Sequence, residues 1–172
     1  MEDFYQKLLE SSIRFISFRP RSEKEIRFYL GKKFQKHKIS DAPLLDRIIT
    51  RLRELDYVND RKFAAWWVEQ RQIHKPKGMR LIAQELKAKG IDRELVSVMM
   101  QSDNFPSGRE QNYQDTQEGL ARKALEKKLS LWDKLPKLEQ KKKIYGFLGR
   151  RGFDGEVIGR VIDEVVARKV QS

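Results

Sequence analysis

The apolar residues of the chain recur at helical spacing along nearly its whole length. From Glu23 to Phe34, Ile26, Tyr29, Leu30 and Phe34 fall on one stripe, the three-to-four-residue step that turns one face of a helix toward a core. Leu44, Leu45, Ile48, Ile49, Leu52 and Leu55 form a second stripe, and Phe63, Ala64, Trp66, Trp67 and Val68 a third. Met79, Ile82, Ala83 and Leu86 follow, then Leu120, Ala121, Ala124 and Leu125. Leu138, Ile144, Tyr145 and Leu148 precede a last stripe of Val157, Ile158, Val161, Ile162 and Val165. No stretch alternates at period two, so the pattern predicts an all-α protein without strands.

The residues between the stripes punctuate them as helix ends. Ser22 and Glu25 form a capping box, in which the hydroxyl accepts from the Glu25 amide and the carboxylate reaches back. Asn59 or Asp60 caps the helix that carries the two tryptophans, Pro76 stops it, and Gly78 lies near the start of the next. Gly90 and Gly152 each follow a helix ending in basic residues, where a left-handed residue closes the last turn. Trp66 and Trp67 are adjacent, so one helix face cannot bury both. Phe63, four residues earlier, puts Trp67 on the buried stripe and leaves Trp66 at an edge, where packing or base stacking are the alternatives.

An internal repeat emerges from the same pattern. Ile82 to Val96 aligns without gaps on Ile144 to Ile158, with Ile, Leu, Gly, Asp and Glu coincident. A looser copy starts at Ile26 and Leu30 and has a longer turn through Gln35 to Ser40. Each copy is preceded by one more helix. The predicted architecture is an elongated tandem array of three three-helix repeats: 1–58, 59–101 and 113–172, with a polar linker at 102–112. Such arrays supply extended binding surfaces more often than enclosed active sites.

Composition sharpens this picture. The 172 residues include 37 Lys or Arg and 25 acids, a net charge of +12. Residues 14–38 hold nine bases against two acids, and residues 120–151 eleven against three, so the charge sits in two blocks. These are either solvated helix faces or a footprint for a polyanion. There is no cysteine, which excludes disulfides, thiolate nucleophiles and Cys-ligated metals. No apolar run approaches the ~20 residues of a membrane helix, and the acidic start is no secretory signal. A soluble, cytoplasmic, monomeric protein with no membrane association is expected.

No constellation suggests catalysis. His37 and His74 stand apart without acids at ligand spacing, and the Asp56–Asp60 stretch is explained by capping. The glycines around Gly149 lack a preceding strand and a Gly-Lys-Ser/Thr ending, so they form no phosphate loop. Neither an enzyme activity nor a metal or cofactor is expected. The binding candidates are a basic corner around Pro76, made of Arg71, Lys75, Lys77 and Arg80 with only Glu69 close in sequence. Lys141, Lys142 and Lys143, with Arg150 and Arg151, cover the two ends of one helix in the last repeat.

Four segments, in order, resemble the RecX family of bacterial regulators of the RecA recombinase. They are Arg21 to Leu30, Leu52 to Ala64, Gly78 to Ile91 and Phe147 to Phe153, and the resemblance extends from about Arg14 to Val166. It implies tandem three-helix repeats and no catalysis. It also implies binding in the groove of the RecA–DNA filament across neighbouring protomers, with limitation of filament growth or recombinase activity. DNA would be contacted weakly or indirectly. The matched positions (Ser22, Glu25, Leu30, Tyr57, Asp60, Gly78, Glu85, Leu86, Gly90, Gly152 and Phe153) are mostly fold-determining. The chain departs from the family pattern at Asp56, where Gly is commoner, at Asn59, where Asp is commoner, and in its long linker. A stand-alone helical DNA- or RNA-binding protein is the alternative, and a scaffold without nucleic acid a third reading.

Overall fold

The computed structural model describes residues 2–38, 41–101 and 117–168, with the side chains of 2, 100, 101 and 168 left aside. The described residues form nine helices and no strand: α1 (Glu2–Ser17), α2 (Glu23–Lys36), α3 (Ala42–Glu54), α4 (Asp60–Ile73), α5 (Met79–Ala88), α6 (Arg93–Gln101), α7 (Gln117–Trp132), α8 (Lys137–Arg150) and α9 (Gly155–Arg168). The 102–112 linker lies outside the described residues. The chain divides into two compact units, one of Met1–Trp66 with Leu86–Ser97 and one of Trp67–Glu85 with Val98–Ser172.

The first unit is built around α1, α2 and α3. Tyr5, Leu8 and Leu9 of α1 meet Ile26, Leu30 and Phe34 of α2 and Ile48, Ile49 and Leu52 of α3 in one core. Two caps fix where α2 and α3 begin. The Ser22 hydroxyl accepts from Glu25 N and the Glu25 carboxylate from Ser22 N, the reciprocal box anticipated from the sequence. Asp41 accepts from Leu44 N at 2.9 Å, with Pro43 in the same first turn.

The α2 cap is also a junction. Ser22 Oγ donates to Lys89 O at 2.8 Å, Lys24 Nζ to Ala88 O at 3.1 Å and Lys89 Nζ to Glu25 at 2.7 Å, so the cap is tied to the end of α5. Glu25 also receives Arg19 at 2.8 Å. Burial alone would raise its pKa, but the Arg19 and Lys89 bonds and the Ser22 amide overrule it and hold the carboxyl at about 2.

The second unit centres on α7, α8 and α9. Leu120, Ala121 and Leu125 pack against Ile144 and Leu148 and against Val157, Ile158, Val161 and Ile162, with Phe153 closing the turn between α8 and α9. Arg122 donates to Glu164 at 2.6 Å, and Arg160 pairs with Glu118, so α7 and α9 are also tied at their surface.

The aligned repeat segments adopt one turn geometry. Gly90 and Gly152 have φ of +83° and +82°. Ile91 N donates to Leu86 O at 3.0 Å and Phe153 N to Leu148 O at 3.2 Å, the six-residue closure that a left-handed residue permits. The same closure recurs where α3 ends, with Tyr57 N donating to Leu52 O at 2.9 Å over Asp56 at φ +57°. Aspartate tolerates that conformation better than most side chains, which is how the motif persists without its glycine. Asn59 caps α4 by accepting from Lys62 N, while Asp60 accepts from Glu23 N at 2.9 Å.

One expectation about the aromatics is corrected. Trp67 is half-buried rather than on the core stripe, which runs instead through Phe63, Ala64 and Val68. Its indole N–H needs a polar partner and finds one in Glu85. Tyr57, beside the left-handed Asp56, is 44% exposed.

Candidate functional site

The basic corner around Pro76 is assembled in the second unit by an unusually close backbone approach. Gly78 N donates to Arg151 O at 2.9 Å, and both Gly78 and Gly152 are buried. A Cβ built on Gly78 would lie 2.1 Å from Gly152 O, so glycine alone lets the start of α5 rest on the α8–α9 turn. The approach is reinforced from both sides. Arg80 Nη2 donates to Gly149 O at 3.3 Å, and Arg151 Nη1 donates to Pro76 O at 3.2 Å. Two basic groups that lie about seventy residues apart in sequence are thereby joined: Arg71, Lys75, Lys77 and Arg80 with Arg150 and Arg151.

The joined cations are not equivalent. Glu85 accepts from Trp67 Nε1 at 2.9 Å, from Arg71 Nε at 2.7 Å and from Lys77. Burial pushes its carboxyl up, but the Lys77, Arg71 and Trp67 bonds outweigh this and hold it below the ordinary carboxylate range. Glu85, rather than the sequence neighbour Glu69, is the counter-ion of the corner. The Arg71 guanidinium also stacks 4.2 Å from the Trp67 ring, and that of Arg151 lies 4.6 Å from Phe147.

Lys75, Arg80 and Arg150 are exposed and have no ion-pair partner among the described residues. They are the exposed cations of the corner that no carboxylate among the described residues neutralises. Lys142 and Lys143 are exposed and Lys141 half-buried, all earlier on α8. At a rise of about 1.5 Å per residue they lie roughly 10–14 Å along the helix from Arg150. Of the three, Lys143, seven residues before Arg150, falls on the same side of α8 as Arg150, whereas Lys141, nine residues before it, falls on the opposite side.

The corner's composition was legible in the sequence, but its geometry was not. Glu85 and Gly78 were visible only as members of a motif, and nothing in local spacing pairs Gly78 with Gly152. No group of three His, Asp or Glu able to hold a metal ion occurs among the described residues. His37 and His74 are exposed. No helix among the described residues is long and apolar enough to cross a membrane.

Comparison with known proteins places these features in a family. Residues 59–99 match the model of "RecX, second three-helix domain", and residues 115–162 that of "RecX, third three-helix domain". The Regulatory protein RecX of Bacillus subtilis is 31% identical over 163 residues, which cover 95% of this chain and 56% of that protein. That of Listeria monocytogenes is 38% identical over 99 residues, 58% of this chain and 35% of that protein. The chain thus spans about half the length of the curated relatives it matches. The crystal structure of RecX from Lactobacillus salivarius superposes with a TM-score of 0.75 at 22% identity, covering 97% of this chain and 99% of that one.

Proposed function

The chain belongs to the RecX family, and from that premise we propose that it regulates the RecA recombinase by binding in the groove of the RecA–DNA filament. It inhibits filament extension and recombinase ATPase activity there, and acts by binding alone, without catalysis or cofactor, as a cytoplasmic monomer. Lys75, Arg80 and Arg150 lead the contact, Lys141, Lys142 and Lys143 extend it, and Arg71, Lys77 and Arg151 hold its shape.

The observation that supports this reading most is the Gly78–Gly152 approach, which brings the basic segment before α5 against the basic end of α8. A filament presents the same target at every protomer, so several modest contacts made by tandem repeats act together through effective concentration. A net charge of +12 draws the protein toward a DNA-containing filament with a salt-dependent affinity.

The experiment is DNA strand exchange by RecA with increasing amounts of the protein, beside binding to naked DNA of the same length. The proposal expects inhibition below one molecule per RecA protomer and far weaker binding to naked DNA. Tight binding to naked DNA with a steep salt slope, unchanged by RecA, would instead favour a stand-alone nucleic-acid-binding protein. The exposed basic surface is the feature that keeps that second reading in view.

A further inference from the structure

The first unit contains a cavity of about 260 Å³ remote in sequence from the basic corner. Ile16, Pro20 and Phe63 give it apolar walls, and Tyr57 lines it while remaining 44% exposed. Three cations also line it, Arg19, Arg21 and Lys62, against one acid, Asp56.

Two of these cations are already engaged. Arg19 donates to Glu25 at 2.8 and 3.2 Å and to Pro20 O at 2.8 Å. Lys62 pairs with Asp56, which also accepts from Asn59 at 3.2 Å. Arg21 differs. Its guanidinium lies 3.9 Å from the Phe15 ring, and its Nε is buried without a hydrogen-bond partner. It has no ion pair among the described residues. Burial, and next the charge of Arg19, lower its pKa against the pull of Glu25. Arg21 as a whole is only half-buried; its Nε alone is sealed, which leaves the terminal nitrogens of the guanidinium for an acceptor.

The dimensions and chemistry select the occupant. Pockets for drug-sized ligands begin at about 300 Å³, so this one accommodates a side chain or two rather than a cofactor. A nucleic-acid backbone is held by several cations acting together, whereas only one here is uncommitted. A guanidinium fork matches the two oxygens of a carboxylate. We propose that this cavity docks an acidic peptide segment, with one Asp or Glu carboxylate on Arg21 and a neighbouring apolar side chain between Ile16, Pro20 and Phe63. The site uses none of the residues of the basic corner, and its test requires no filament.

The test is fluorescence anisotropy of a blocked, labelled Glu-Leu-Glu-Phe-Glu peptide against the full chain, beside the Gln-Leu-Gln-Phe-Gln peptide and a short oligothymidylate. Arg21→Met keeps a stem against Phe15 and removes the charge. Asp56→Asn removes the single acid of the cavity wall, and asparagine tolerates the left-handed backbone found there. The acidic peptide binds and the glutamine peptide does not. Arg21→Met weakens binding at least about tenfold, the value of a charge-assisted pair, and Asp56→Asn strengthens it about threefold. Should Arg21→Met fail to fold, the gain in Asp56→Asn still decides the matter. The proposal is overturned by absence of binding, by equal binding to both peptides, by folded variants that bind as the parent does, or by an Arg21-dependent preference for oligothymidylate.

Discussion

Gly78→Ala is the substitution that most directly probes how the basic corner is built. The added methyl would lie 2.1 Å from Gly152 O and 2.3 Å from Phe153 N, both backbone atoms that cannot swing away. An ordinary carbon–oxygen contact needs about 3.3–3.6 Å, so the start of α5 must retreat by more than about 1 Å. That retreat breaks the 2.9 Å bond from Gly78 N to Arg151 O and strains the one from Arg151 to Pro76 O. Overpacking costs about 1–3 kcal/mol and an unpaired buried amide about as much again, so a loss of about 3 kcal/mol is expected. For a chain of this size that lowers Tm by about 6–12 °C. Gly149→Ala is the control on α8, because its methyl meets nothing within 4 Å and alanine favours the helix by about 0.5–1 kcal/mol. Calorimetry of the two variants decides. A Gly78→Ala protein as stable as the parent, or a Gly149→Ala protein equally damaged, would refute the close-approach argument.

Other outcomes follow from the same contacts. Reversing Lys75 and Arg150 to Glu, with Arg80→Gln to keep a donor toward Gly149 O, should leave the circular dichroism unchanged and abolish strand-exchange inhibition; intact inhibition would mean a different face binds. Glu85→Gln should lower stability while releasing Arg71 and Lys77, steepening the salt dependence of filament binding measured by sedimentation. Glu25 has its pKa lowered from 4.5 to about 2 on folding. Its contribution is complete above about pH 4.5 and is lost as pH falls toward 2, so urea midpoints should drop over that range and drop less in Glu25→Gln.

Much of the architecture was legible because it rests on local chemistry. The Ser22–Glu25 box, the left-handed Gly90 and Gly152 and the helical stripes each depend on residues within a turn or two of one another. The corner's wiring was not legible, because Gly78 meets Gly152 and Glu85 meets Lys77 only after the chain has folded. Trp67 was misplaced because periodicity weighs its ring and ignores its N–H, which Glu85 satisfies. The cavity near Arg21 has no local signature in the sequence, since its walls come from α1, the segment before α2, the α3–α4 turn and the first turn of α4.

RecA-catalysed ATP hydrolysis on single-stranded DNA, titrated with the protein, is the sharpest test of filament regulation. Family membership and the joined basic surface predict that turnover falls at substoichiometric ratios and that added salt relieves the inhibition. Unchanged turnover at every ratio would contradict such regulation.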